Sequence, residues 1–414
     1  MQQATATVDI AISGGSFAGL AIAVALSQAL HGALRISVIA PTFPAPANDA
    51  PIDPRSVALS AASKNLLSAL GVWNDIASVC QPVSEIAISD SDLNDAVRPT
   101  RLRYDTVLPS GEPSMWIVPN ASLGAVLLAH ANKAPGVSLI ANRRVTGLTD
   151  HGEAIALTLD DGTDISTRLA IAADGRRSTL RDASGITTIG WDYDQHGIVA
   201  TVTASQPHHG RAVQNFLPNG PFAILPLTGN RLCITWSEQT GEAKRILAGT
   251  PAEILAEIER RFAPNYGHLT LENKPQSWSL NVHLARSFIA HRVALAGDAA
   301  HGVHPIAGQG LNLGFRDVAA LVEVIAETAR LGLDIGHGTT LDRYQRWRRF
   351  DSLTSTAAFD TLNRLFSQNS NVARSVRGAG LSIIDRAPHL KALIVQEAAG
   401  LSGDVPKLLL GQMP

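Results

Sequence analysis

Cysteine is nearly absent: the chain of 414 residues has two, Cys80 and Cys233. Two thiols cannot build a disulfide framework, and neither sits in a metal-ligand spacing. We therefore expect reduced cysteines in a cytosolic protein and no structural metal. Charge imbalance is also missing. The 34 Lys and Arg residues face 36 Asp and Glu, leaving no basic excess for non-specific nucleic-acid binding. Met1 to Thr7 holds no Lys or Arg, so the apolar stretch that follows lacks the basic lead of a secretory signal. Asp9 and a glycine cluster argue against a membrane span there. The expectation is a soluble cytoplasmic protein, or at most one peripheral to a membrane. No internal repeat or low-complexity segment stands out, and the length predicts two domains, which need not be consecutive along the chain.

What is present is organised around glycine turns. "VDIAISGGSFAGLAIAVALSQAL" (8–30) reads as a short buried strand, a glycine turn and an alanine- and leucine-rich helix. "LRISVIA" (34–40) supplies the next strand and completes a βαβ unit. A loop rich in Pro, Ala and Asp leads to "DPRSVALSAASKNLLSAL" (53–70), whose last part predicts a helix closed by Gly71. The middle of the chain has antiparallel-sheet texture in "GIVATVTA" (197–204), "FAILPL" (222–227), "RLCITWSE" (231–238) and "SWSLNVHLARSF" (277–288). A helix is predicted over Pro251–Arg261, and "RVALAG" (292–297) restores a buried strand. From Leu341 the pattern is helical, with Tyr344, Trp347, Phe350, Leu353 and Ala357 as its apolar stripe. The fold class predicted is α/β: a dinucleotide-binding domain interrupted by a mostly antiparallel sheet domain and completed by late helices.

Three segments carry chemistry. "GGSFAG" places Gly14 and Gly19 at the first and third glycines of a dinucleotide fingerprint, with Gly15 between and Ser16 at the second. The next strand ends at Ala40, with no carboxylate for ribose hydroxyls. Alone, this segment reads equally as a structural glycine turn. In "AIAADGRRSTLR" (170–181) a strand ends at Asp174-Gly175 and basic residues follow, which as a lone cluster also describes a solvated face. "GDAAHGVHPIAGQGLNLGFRDVAAL" (297–321) is harder to assign to packing. Asp298 can accept hydrogen bonds from sugar hydroxyls, Gly308-Gln309-Gly310 opens a helix whose free N–H groups favour negative charge, and His304-Pro305 is conformationally restricted.

Together these segments resemble the single-component FAD-dependent aromatic hydroxylases, and most closely the ubiquinone-biosynthesis hydroxylases. "HPIAGQGLNLGFRD" (304–317) is similar to that subfamily's pattern almost letter for letter, "ADGRRSTLR" to the family's Asp-Gly motif, and "DPRSVALS" (53–60) to the segment whose arginine, here Arg55, contacts flavin. "GPFAILPL" (220–227) resembles a substrate-domain strand and "GLSGDVPKLLLG" (400–411) the subfamily's C-terminus. The chain departs from the pattern at Ser16, at Ala40 and in "VPNASL" (118–123), where relatives often carry Arg or Gln.

The resemblance implies a p-hydroxybenzoate hydroxylase-like fold, with a Rossmann-like FAD-binding domain in segments 1–75, 111–185 and 286–335. It assigns the substrate domain to 76–110 and 186–285 and a helical region to 336–414. By the same resemblance, Gly14, Gly15, Ser16, Gly19, Arg55, Asp174, Asp298, Gly308, Gln309, Gly310, Leu311 and Asn312 bind FAD. His304 and Pro305 shape the catalytic face, and Phe222, Leu225 and Pro226 line the substrate pocket. NADH or NADPH would reduce the flavin transiently, dioxygen would add to it as a hydroperoxide, and a polyprenylated phenol would be hydroxylated. Association with a ubiquinone-biosynthesis complex, and with the inner face of the cytoplasmic membrane, accompanies this reading. Two alternatives stay open: a hydroxylase of a small soluble aromatic, and a non-catalytic complex subunit with weakened FAD binding.

Overall fold

The computed structural model describes residues 6–46, 53–93, 95, 98–262, 266–304, 308–367 and 384–414. Apolar runs too short for helices become a parallel sheet buried on both faces. Its strands lie in the order Val293–Leu295, Asp164–Ala172, Ala6–Ser13, Ile36–Ala40, Val137–Ala141. Antiparallel strands extend it to eight. The helix Phe17–Ala29 packs on this sheet against helices Asn120–Lys133 and Gly310–Arg330. Its approach depends on Gly19, where a Cβ would stand 1.9 Å from the Gly14 carbonyl oxygen.

The second sheet has nine strands, antiparallel except where Glu85–Asp90 pairs with Arg211–Leu217. Its longest strand, Thr188–Ala204, runs well beyond the stretch whose alternation is visible in sequence, because a bulge between Asp192 and Gln195 breaks the period. One face is closed by helices Thr240–Leu247 and Pro251–Arg261. The latter starts at a capping box of Thr250 and Glu253. A third, three-stranded sheet of Ser56–Ser60, Met115–Pro119 and Gln81–Pro82 packs on the other face. The parallel sheet draws on three separated stretches of chain, and the antiparallel sheet on the two between them and on His301–Gly302 just after the last, so the α/β architecture is interleaved.

The long helix Gly338–Ser367 departs from its predicted apolar stripe. Tyr344 is buried and its hydroxyl donates to the Leu295 carbonyl at 2.6 Å, but Phe350 is 73% and Leu353 50% exposed. The buried face continues instead through Arg348, Ser352 and Thr356. The reason is Asp317, a fully buried carboxylate on Gly310–Arg330. It accepts from Arg348 Nε at 2.8 Å, from His301 Nε2 at 2.7 Å and from the Gly297 N–H at 2.9 Å. Arg348 is also paired with Asp351. Burial alone would raise the Asp317 pKa. The charges of His301 and Arg348 outweigh it and hold the carboxyl below its usual range.

Removing one partner of such a pair strands the other charge. We expect Arg348→Met to lower the unfolding free energy by about 3–5 kcal/mol. Combined with Asp317→Asn it should cost less than the sum of the single changes. Urea unfolding of the four proteins checks this, and simple additivity would contradict it.

Candidate cofactor-binding site

In an open parallel sheet, ligands bind beyond the carboxyl ends of the strands. A cavity of about 550 Å³ lies there. Ser13–Ala18 follow the first strand, Ile39–Thr42 the second, Ala173–Gly175 a third and Ala296–Asp298 a fourth, while Gly310, Leu311 and Gly314 approach from the helix start.

The turn at Gly14 is built so that only backbone fits. Its φ is +120°, a Cβ there would be 2.1 Å from the Ala173 carbonyl oxygen, and its N–H donates to the Ile39 carbonyl at 2.8 Å. Ser16 stands at the N-cap of the helix Phe17–Ala29 but makes no side-chain cap, so its small hydroxyl is left at the cavity wall. Asp174 accepts through Oδ2 from the Ser13 hydroxyl at 3.2 Å and the Leu180 N–H at 3.3 Å. Its Oδ1 is buried with no partner. Gly297 has φ +60° and brings the strand end close to the backbone of Gly314. The exposed Asp298 follows, its own carbonyl receiving a hydrogen bond from His283 Nε2 at 2.8 Å.

At the start of the helix Gly310–Arg330, the first intrahelical bond recorded is from the Leu313 N–H to the Gln309 carbonyl, 3.0 Å. The N–H groups of Gly310, Leu311 and Asn312 precede it and sit at the positive end of the helix dipole. The Asn312 side chain is otherwise engaged. It donates to the Ala58 carbonyl at 2.8 Å and to Gln309 Oε1, and accepts from the Ser60 N–H and the Ser63 hydroxyl. Asn312 thus fastens the helix start to the strand Ser56–Ser60 and reaches a ligand only through its main chain. Gly308, with φ +63°, packs at the same place, its Cβ position 3.1 Å from that of Ala58.

The cavity therefore brings together Gly14, Gly15, Ser16, Asp174, Asp298, Gly310 and Leu311. Gly19 lies outside its lining as a packing glycine. Arg55 is also outside it, half exposed and held bidentately by Asp53 at 2.8–2.9 Å, whose hydrogen bond raises the guanidinium pKa. His304 is buried with neither ring nitrogen partnered, edge-on to Tyr193 at 5.2 Å between centroids. Tyr193 in turn donates to Asp360 at 2.7 Å. Burial pushes the His304 pKa down to about 4. Pro305 lies outside the described residues.

The three expected substrate residues are split by strand alternation. Phe222 is fully buried against Trp236 and Phe262 on the helix-covered face, and Pro226 shares its parity. Only Leu225 points to the other face, where it packs with Ala58, Met115 and Ile117. Phe222 and Pro226 are thus wall residues of the helical side rather than neighbours of the cavity.

Sequence reading missed Thr42 and Arg144, which line the cavity, and the Asp317–His301–Arg348 cluster. No local pattern links Arg348 to Asp317; the contact follows from how two helices cross. Among the described residues there is no group of side chains suited to a metal ion.

An orphaned buried acceptor on Asp174, a glycine cradle closed to any Cβ and a helix start at one end fit a dinucleotide with hydroxyl and diphosphate groups. Comparison with known proteins agrees. Residues 7–351 match the FAD binding domain family. The chain is 36% identical to the ubiquinone hydroxylase UbiL of Rhodospirillum rubrum, over 97% of this chain and 92% of that protein. It is 32% identical to the 3-demethoxyubiquinol 3-hydroxylase of Escherichia coli, over 95% and 98%. The p-nitrophenol 4-monooxygenase PnpA of Pseudomonas putida shares the fold, with a TM-score of 0.79 at 22% identity over 97% of this chain and all of that one. The chain belongs to the FAD-dependent monooxygenases, in the family that includes the ubiquinone hydroxylases.

Proposed function

We propose that this enzyme hydroxylates the ring of a polyprenylated phenol on the route to ubiquinone, with NADH or NADPH as a transient reductant. One atom of dioxygen enters the ring and the other leaves as water, two electrons coming from the nicotinamide. The observation that carries this reading is the cavity in which Asp174, Asp298 and the start of Gly310–Arg330 converge. The names of the relatives support the substrate class.

FAD, when bound, supplies the oxygen-activating chemistry that side chains lack. The chain's own part is positional and electrostatic. Asp174 Oδ1 and the Asp298 carboxylate accept from sugar and ribityl hydroxyls, and the Gly14–Ser16 turn admits the diphosphate to the main chain. The N–H groups of Gly310 and Leu311 would offer the positive end of the helix dipole to negative charge on the bound ring system. His304, neutral at pH 7, serves the phenol as a hydrogen-bond acceptor; its burial opposes any lasting positive charge there. A polyprenyl tail stays in lipid, so the enzyme works at a membrane surface. No helix among the described residues is long and apolar enough to cross a membrane.

The purified protein is expected to show a flavin absorption band, either as isolated or after adding FAD. NAD(P)H oxidation should be stimulated by a polyprenyl phenol and matched one to one by hydroxylated product. Absence of any flavin band would sink the enzyme reading. Equal coupling with a short, soluble phenol would move the substrate to that class.

A second expectation concerns His304. Its folded pKa lies below the ordinary 6.5, so its contribution to stability is complete above that pH and is lost as pH falls toward 4. The full interval amounts to about 3 kcal/mol. Wild type should lose more stability than His304→Gln between pH 7 and 4.5, with His283, also depressed by burial, accounting for part of what remains. Parallel curves in urea unfolding would contradict this.

A further inference from the structure

The sequence leaves one gap that the proposed mechanism does not fill: the second strand ends at Ala40, where a dinucleotide site of this kind usually offers a carboxylate to the adenosine ribose. The strand order fixes which end of the cavity is affected. The ends of the strands run from Val293–Leu295, beside Asp298, through Asp164–Ala172 and Ala6–Ser13, with its diphosphate turn, to Ile36–Ala40 and Val137–Ala141. The helix start at Gly310 and Asp298 occupy one end, so the adenosine half belongs at the other, beside Ala40, Thr42, Arg144 and Val145.

That end is apolar where the acid would stand. A Cβ on Gly15 would be 2.5 Å from the Phe43 ring and 2.8 Å from the Ala40 methyl, so these two groups close the wall. Among the described residues, the carboxylates in the lining are Asp174 and Asp298, at the diphosphate turn and beyond it. Among the described residues that line this end, the charged one is instead a cation. Arg144 lines the cavity, its backbone pinned by the Asp160 N–H donating to its carbonyl at 2.9 Å, just before the strand Val145–Asp150. Its neighbour Arg143 is paired with Asp161, whereas the Arg144 guanidinium has no acidic partner among the described residues.

We propose that Arg144 recognises the adenosine half of FAD, donating to its ribose and adenosine-side phosphate oxygens in place of the missing carboxylate, with the Thr42 hydroxyl beside it. The exchange inverts the polarity of the contact: a carboxylate accepts from ribose hydroxyls, whereas a guanidinium only donates and carries charge. Retention of the dinucleotide then depends on ionic strength, which a hydroxyl–carboxylate contact to a neutral sugar would not impose. The inference rests on the FAD reading above.

The test is direct titration of the apoprotein with FAD and, separately, with FMN, which has no adenosine half, following flavin fluorescence. Arg144→Ala should weaken FAD about tenfold, the scale of one charge-assisted hydrogen bond, while leaving FMN and the thermal unfolding midpoint unchanged. Arg144→Lys should recover part of the loss. Raising salt should weaken FAD binding to wild type more than to Arg144→Ala. Unchanged FAD affinity in Arg144→Ala overturns the proposal, and so does an equal loss of FAD and FMN, which would make Arg144 a structural residue. If wild type binds neither flavin, the cofactor reading itself falls and this assignment with it.

Discussion

A single buried carboxylate sets the geometry on which the cofactor cavity depends. Asp317 has no access to water, so each of its oxygens must find a donor inside the protein. The donors come from three places: the main chain at Gly297, the ring of His301 and the guanidinium of Arg348. Satisfying one side chain therefore fixes the strand-end turn, the loop after it and the helix Gly338–Ser367 against the helix Gly310–Arg330. Buried ion pairs are weak evidence for net stability, because desolvation offsets much of the attraction. Their consequence here is positional, since the N-terminus of the helix that carries Asp317 is the edge of the cavity.

From that constraint follows a site made mainly of backbone. Gly14, Gly297 and Gly308 all have positive φ, and the first and third sit where a side chain would meet neighbouring atoms. The close approach of Gly297 to Gly314 lets the turn and the helix start face the same space. Main-chain donors do not depend on which side chain they carry. Ser16, where the fingerprint has a glycine, keeps its main chain in the wall and adds only a small, uncapped hydroxyl. Loss of a carboxylate at Ala40 is different in kind, because a side-chain acceptor is what has gone.

Much of this was legible in sequence, for identifiable reasons. Short apolar runs bounded by glycine mark the parallel strands, and Asp174 and Asp298 follow strands directly, so their place at the sheet's end follows from chain connectivity. What was hidden depends on parity or on long-range crossing. The strand Gly220–Pro226 is apolar on both faces, so nothing local says which side Phe222 takes. The apolar stripe of Gly338–Ser367 was read from residues that turn out exposed, because Arg348 had to be drawn inward to meet Asp317. Asn312 looked like a ligand contact from its motif, yet its amide is consumed in joining the helix start to Ser56–Ser60.

The two faces of the antiparallel sheet divide the work. The face with Phe222, Ile224, Ile234 and Trp236 is sealed by two helices and carries a buried pair of its own, Arg261 with Glu238 at 2.9 Å. On the opposite face, Leu225 and Cys233 meet Ala58 and Ile117, and Ala58 is the residue against which Gly308 turns. That side of the sheet is thus tied, through one short strand, to the loop that precedes the helix start. The function proposed above puts the substrate ring on this face, between sheet and cofactor. Its polar partners are then to be sought among inward side chains left without hydrogen bonds, such as Gln195 Oε1, Gln214 Nε2 and the two nitrogens of His304. An apolar strand pattern could not have pointed to them.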